Sequence, residues 1–345
     1  MENLYPMLFE HNLLETVWGG CRLKPLKGLA ADDCRIGESW EISAVEGRES
    51  VVSNGALAGK KLTTIVEEYG ELVLGKKTVQ MFGRKFPLLI KFIDAAADLS
   101  IQVHPDDKLA AERHGSLGKT EMWYVIDADK GAHLYSGFKS QIDKEEYAKR
   151  VEDGSICDVL NSCEVQRGDS FFIPAGRVHA ICGGLLIAEI QENSDITYRI
   201  FDYNRPGLDG KPRQLHTELA KDAIDYTVYD NYRTEYECEK NQPAVLAENK
   251  YFTVNKLHIN RVARRELSVY DSFVVYMCLK GSCRIEIPSS ACCGKEFPDM
   301  GSLHLLEGHS CLVPAIYADV NILPDNPEGE TELLEVYIDN KNINK

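Results

Sequence analysis

Residues 99–106 read LSIQVHPD, and this short run sets the fold class. Side chains alternate faces along a strand, so Ile101 and Val103 share one face while Ser100, Gln102 and His104 share the other. The apolar face belongs to a core, and the polar trio either meets solvent or lines a pocket. Similar short runs lie on both sides: FPLLIKFID (86–94), MWYVID (122–127), SFFIP (170–174), LLIAEIQ (185–191) and TYRIFDY (197–203). Gly, Pro, Asp or Asn bounds each of them, as strands require. They do not alternate with long helical patterns, which argues against a doubly wound parallel sheet. Many short strands at turn-limited spacing predict a mainly β protein, a sandwich or jelly roll.

A few helices interrupt this pattern. Thr64-x-x-Glu67 has the spacing of a capping box, with Ile65, Val66 and Tyr69 behind it. Asp143 opens a second helix, with Tyr147 and Val151 one turn apart. Thr217 opens a third, with Leu219, Ala220, Ala223 and Ile224 on one face. There is also an internal echo. RGDSFFIPA (167–175) returns as EGHSCLVPA (307–315), and WYVIDADKG (123–131) as VVYMCLKG (274–281). Such self-similarity predicts two related β units. We place the first over residues 1–240, with the helical insertions, and the second over residues 241–345.

The chain has 345 residues, 44% hydrophobic and 27% charged, which excludes disorder, collagen and coiled coil as descriptions of the whole. Its formal charge of −15 argues against a broad nucleic-acid footprint, which needs a basic face. A small phosphorylated ligand needs only a few local cations. No run of about 18 apolar residues suggests a membrane span, and the first ten residues do not read as an export signal. The 11 cysteines, an odd number in a chain this large, predict reduced thiols and a cytoplasmic setting. Cys292-Cys293 is the tight pair. Vicinal cysteines make poor disulfide geometry, and no second pair stands at zinc-finger spacing, so the pair is read as incidental.

Two further segments give the polar trio a purpose. Lys119-Thr120-Glu121 places a carboxylate at the mouth of an apolar strand. Pro174-Ala175-Gly176-Arg177-Val178-His179 places an imidazole just after another. Gln102, His104, Glu121 and His179 together form a nitrogen and oxygen donor set that suits zinc, iron or manganese with a position open to substrate. The other histidines read as surface or structural.

LSIQVHPDD, followed by KTEMWYV, FFIPAGRVHAI and AEIQENSDITYR, resembles the short bacterial form of type I mannose-6-phosphate isomerase. Trp18-Gly19-Gly20 and Gly37-Glu38-Ser39-Trp40-Glu41 belong to the same resemblance, which covers residues 13–205 well and the C-terminal third more loosely. It implies two cupin-type jelly-roll barrels with a helical insertion. It also implies one zinc ion per chain on Gln102, His104, Glu121 and His179, and an active-site arginine and lysine at Arg199 and Lys119. Glu189 and Asp195 fall on acidic positions of the same stretch, and Ser100 and Lys91 on positions tied to the substrate phosphate. The implied reaction interconverts mannose 6-phosphate and fructose 6-phosphate through a cis-enediol. Leu117-Gly118-Lys119-Thr120-Glu121 departs from the longer family signature. Two other functions compete: a cupin-type metal oxygenase, since two His and one carboxylate also suit ferrous iron, and a non-catalytic sugar-binding cupin. Gln102 as a fourth donor, with Arg199 and Lys119, favours the sugar phosphate. After residue 251 the corresponding positions carry Asp271 and Asp319, so the second unit is expected to lack the site.

Overall fold

The computed structural model describes residues 4–31, 35–288, 302–326 and 328–339. The chain is mainly β and divides into two units. One comprises residues 13–40 and 88–234; the other comprises residues 1–12, 41–87 and 235–345. A single cut at residue 240 does not describe this division. The chain crosses between units near residues 12, 40, 87 and 234, and the helices Leu62–Tyr69, Glu71–Leu74 and Lys76–Phe82 go with the C-terminal segment.

The unit of residues 13–40 and 88–234 carries two sheets. Six strands run in the order Leu13–Gly20, Ile36–Ile42, Leu88–Ala95, Leu185–Glu192, Glu121–Ala128 and Ser170–Ile173. Five run in the order Tyr198–Phe201, Ile101–Val103, His179–Ile181, His133–Phe138 and Leu160–Glu164. Their ladders are antiparallel, with Glu189 opposite Lys91 and Trp123 in the first sheet, and Gln102 opposite His179 and Arg199 in the second. One core joins the sheets through Trp18, Trp123, Val125, Phe171, Ile187, Leu134 and Ile181. A second core covers the other face of the five-stranded sheet, where Ile101, Val103, Val178 and Ala180 meet Tyr147, Ala220 and Ile224. Ile101 and Val103 are therefore fully buried, as their alternation requires, and Gln102 faces the opposite way into a cavity.

The helices depart from expectation in detail. Leu62–Tyr69 begins two residues before Thr64, capped by Lys61 without a side-chain bond, because Leu62 is drawn into the core. Thr64 and Glu67 therefore lie inside the helix and form no capping box. Lys144–Glu152 is capped as predicted, Asp143 accepting from the Glu146 amide at 2.8 Å. Thr217–Ala223 buries Ala220 but leaves Leu219 exposed. The helix Asp107–His114 follows the His104 strand directly and is not legible in the sequence.

In the other unit, a six-stranded sheet and a four-stranded sheet enclose a core that includes Tyr276, Leu257, Ile285, Val313 and Leu333. The internal echo is structural. Its first copy is the antiparallel pair Glu121–Ala128 with Ser170–Ile173, and its second is Val274–Lys280 with Ser310–Val313. Asp271 accepts the amides of Lys76 and Lys77, and Asp319 pairs with Arg264. Among the described residues seven cysteines are free, but Cys21 is disulfide-bonded, which corrects the expectation of reduced thiols throughout. Cys292-Cys293 lies outside the described residues. Among the described residues, no helix is long and apolar enough to cross a membrane.

Candidate metal centre and active-site pocket

His104, Glu121 and His179 come from three separate strands or strand ends, yet their ligand atoms lie within 4.8 Å of one another. All three are buried. Each imidazole is oriented by its far nitrogen: His104 Nδ1 lies 2.9 Å from the Ile196 carbonyl, and His179 Nδ1 lies 2.7 Å from the Arg177 carbonyl. A carbonyl only accepts, so Nδ1 carries the proton in both rings and each Nε2 turns a lone pair inward. These lone pairs face Glu121, at 3.5 Å from His104 and 3.3 Å from His179. Burial, reinforced by the Lys119 ammonium, pushes His104 down to about 4, and burial lowers His179 as well. Burial alone would raise the Glu121 carboxyl, but the Lys119 ammonium overcomes it and holds the group well below the usual range. The set is thus two neutral imidazoles and one carboxylate, the protonation states that metal binding demands.

The residues fit a metal ion. Glu121 Oε1 is buried without a hydrogen-bond partner, and such an oxygen is costly unless a cation meets it. Lys119 Nζ already bonds Glu121 Oε2 and lies 3.0 Å from His104 Nε2, so these lone pairs attract positive charge. Gln102 completes the group: its amide Nε2 is 3.3 Å from His179 Nε2 and its Oε1 accepts from Ser100 at 3.3 Å. A half-turn of the amide exchanges its ends and presents the oxygen to the cluster.

The cluster opens on a cavity of about 190 Å³ lined from both sheets. Gln102, His179, Lys119, Ser100, Lys91, Glu189, Asp195 and Arg199 all reach it, so every other residue predicted for the site converges with the metal set. Glu189 and Lys91 form a buried pair at 3.2 Å, with Glu38 at 3.8 Å on the other side of the ammonium and the Trp40 ring 5.2 Å away. Burial works against that ammonium, but Glu38 and Glu189 raise its pKa above the ordinary lysine value. Trp123 Nε1 donates to the second oxygen of Glu189 at 2.9 Å. Asp195 is exposed at the mouth. Arg199 is half-buried and donates from Nη1 to the Gln214 carbonyl at 2.8 Å. Sequence reasoning gives no role to Trp18, Glu38, Trp40, Trp123, Thr197 or Arg213, which also line the cavity. For Glu38 and Trp40 a signal is present in the run Gly37-Glu38-Ser39-Trp40-Glu41; for Arg213 there is none, because it stands in a loop beyond the last matching motif.

Residues 10–133 match the model of the phosphomannose isomerase type I catalytic domain. "Probable mannose-6-phosphate isomerase GmuF" of Bacillus subtilis (strain 168) is 38% identical over 284 residues, 81% of this chain and 88% of that one. The chain belongs to the type I phosphomannose isomerase family. Mannose-6-phosphate isomerase ManA of Bacillus subtilis (strain 168) is 36% identical over 283 residues, 81% of this chain and 87% of that one. The crystal structure of the mannose 6-phosphate isomerase from Bacillus subtilis superposes with a TM-score of 0.84 at 31% identity, covering 96% of this chain and 99% of that one. Within this type I family member, the second unit holds no comparable metal set: among the described residues, His104, Glu121 and His179 form the one such group.

Proposed function

We propose that this chain interconverts mannose 6-phosphate and fructose 6-phosphate, with one zinc ion held by Gln102, His104, Glu121 and His179. The observation that carries this reading is the inward-turned His104–Glu121–His179 group beside a cavity that also receives Lys119, Glu189 and Arg199. Zinc, when bound, would supply a Lewis acid that polarises the sugar's carbonyl and hydroxyl oxygens. Aldose–ketose exchange removes a proton from the carbon next to the carbonyl, forms a cis-enediol and returns the proton to the neighbouring carbon. Arg199 supplies fixed donors for the developing oxyanion. Proton transfer falls to Glu189 or Lys119, both buried and both on the cavity wall, while Asp195 orients sugar hydroxyls or assists transfer from the mouth. Ser100 and Lys91 serve the phosphate end.

Each β unit is read here as a cupin-type jelly roll with open sheets, a view supported by the paired sheets and the repeated strand pair. The second unit is then a degenerate copy retained for packing. The seven free cysteines among the described residues favour a reducing, cytoplasmic setting, with bonded Cys21 as the exception, and thiol titration of the native protein tests this. The decisive experiment is a coupled assay in both directions with mannose 6-phosphate and fructose 6-phosphate, before and after chelation and after zinc is restored. Turnover that chelation abolishes and zinc restores is expected. Turnover indifferent to metal removal would overturn the metal assignment, and no turnover of either sugar phosphate with zinc bound would overturn the reaction.

A further inference from the structure

A sugar phosphate brings two negative charges that the pocket must balance. The lysines of the cavity are poorly placed to do so alone. Lys91 lies between two carboxylates, Glu189 and Glu38, and Lys119 is bonded to Glu121. The guanidiniums are different. Arg199 makes no ion pair among the described residues, and its Nε is buried without a hydrogen-bond partner. Arg213 lines the same cavity. It grips buried Asp202 with two bonds, Nε to Oδ2 at 2.6 Å and Nη2 to Oδ1 at 2.6 Å, which leaves Nη1 outside the grip. Arg205 shares the same carboxylate, at 3.1 and 2.9 Å, but does not line the cavity. One carboxylate therefore serves two guanidiniums and leaves one positive charge over; Arg199 adds a second.

These groups follow one another outward across the sheet from the metal set. His179, Gln102 and Arg199 lie opposite one another on three adjacent strands, with Tyr198–Phe201 at the sheet edge. Beyond that edge runs the segment of residues 213–216, tied on by the His216 amide to the Arg199 carbonyl at 2.7 Å and by Arg199 to the Gln214 carbonyl. Arg199 thus stands between the metal group and Arg213. The loop leading to Arg213 leaves the strand through Tyr203 and Asn204, both left-handed at φ 55° and 52°. Non-glycine residues hold such angles only where the surroundings fix them, and the Asp202 clamp lies directly beside this turn.

We propose that Arg213 binds the phosphate group of the substrate at the end of the pocket away from the metal, and that Asp202 is the positioning residue that aims its guanidinium. This rests on the sugar-phosphate reading above and adds a residue to it.

The test compares Arg213→Gln with Arg205→Gln. Three measurements are made: KM and kcat for mannose 6-phosphate on zinc-loaded protein, the affinities of fructose 6-phosphate and inorganic phosphate by calorimetry on metal-free protein, and the melting temperature. A phosphate held equally in ground and transition states changes KM more than kcat. Arg213→Gln is expected to raise KM at least tenfold, with kcat within about threefold, and to weaken both phosphate ligands at least tenfold. Arg205→Gln, which removes the neighbouring grip on Asp202, is expected to change those affinities less than threefold. Arg213→Lys keeps the charge without the planar fork and should recover part of the affinity, which also serves if the Gln variant folds poorly. Equal losses in the Arg213 and Arg205 variants would make Arg213 a loop clamp and overturn the proposal, as would normal KM and phosphate affinity in Arg213→Gln. A wild type that binds phosphate through Arg213 yet isomerises neither sugar would instead overturn the reaction while supporting this site; a wild type that neither binds nor turns over would overturn both.

Discussion

Arg199 and His104 separate two kinds of contribution at the level of single residues. Arg199 pairs with Gln102 through the strand ladder, but its guanidinium cannot ligate a cation, so Arg199→Ala should keep its zinc. If it meets the developing oxyanion, its removal costs about 3–4 kcal/mol, a fall in kcat of roughly a hundred- to a thousandfold. Steady-state kinetics with elemental analysis checks this, and a loss of zinc would show that the pocket was misread. His104→Ala should do the reverse: no zinc, no turnover and a retained fold, read by elemental analysis and circular dichroism. Acid should act on the same group. Because His104 is pushed down to about 4, the unfolded chain takes a proton below about pH 6.5 while the folded chain does not. Its stabilising contribution in the metal-free chain is therefore full at neutral pH and declines as pH falls from about 6.5 towards 4, whereas zinc competes with the proton on the folded imidazole and should leave only as pH falls to about 4 and below. Zinc content followed down a pH series tests this, with retention throughout counting against the ligand set.

Individual elements carry the site through local chemistry. The helix Asp107–His114 begins immediately after the segment bearing His104 and Pro105, and Asp106 caps it by accepting from the Leu109 amide at 2.8 Å. Asp106→Ala should lower stability by about 1 kcal/mol, visible as a lower Tm, while zinc content stays near one per chain. A much larger loss would mean that the helix also braces the metal strand. Only Ala110 is buried along this helix, so no apolar stripe announces it in the sequence. The strand Ile101–Val103 is the opposite case: its two-residue alternation places Gln102 correctly because helices cover the far side of its sheet. Glycines set the approach of the Trp18 segment. A Cβ on Gly20 would lie 2.2 Å from the Asp94 carboxylate, which itself holds Arg22 at 2.6 Å.

For the molecule as a whole, the metal should be catalytic and not a requirement for folding. Each unit has its own apolar core, so chelation should abolish turnover and leave the far-ultraviolet spectrum in place. Cooperative unfolding on chelation would make the site structural. Stability should also respond as pH rises from about 4.5 to about 8. Burial, reinforced by Asp107, raises the Glu192 carboxyl to about 8, behind the strand that carries Glu121. The unfolded group ionises near 4.5 and the folded group near 8, so this contribution is full below about pH 4.5 and is lost as pH rises to about 8. Glu192→Gln should flatten that part of the stability–pH curve in denaturant titrations; an unchanged slope would show that Glu192 ionises normally in the folded chain.

The sequence by itself determined the mainly β, short-stranded character of the chain, the face on which Gln102 points, and the ordered motifs that carry His104, Glu121, His179 and Arg199. These are local properties: alternation has a period of two residues, and a motif is read without knowing what lies across from it. Only the tertiary structure decided that Glu121 from one sheet meets two imidazoles borne by another, that Glu38 and Glu189 flank Lys91, and that Asp202 turns Arg213 into the same cavity. It also decided that residues 41–87 belong with the C-terminal unit. Such juxtapositions depend on sheet stacking and loop paths between residues far apart in the chain, where no short-range periodicity records the partner.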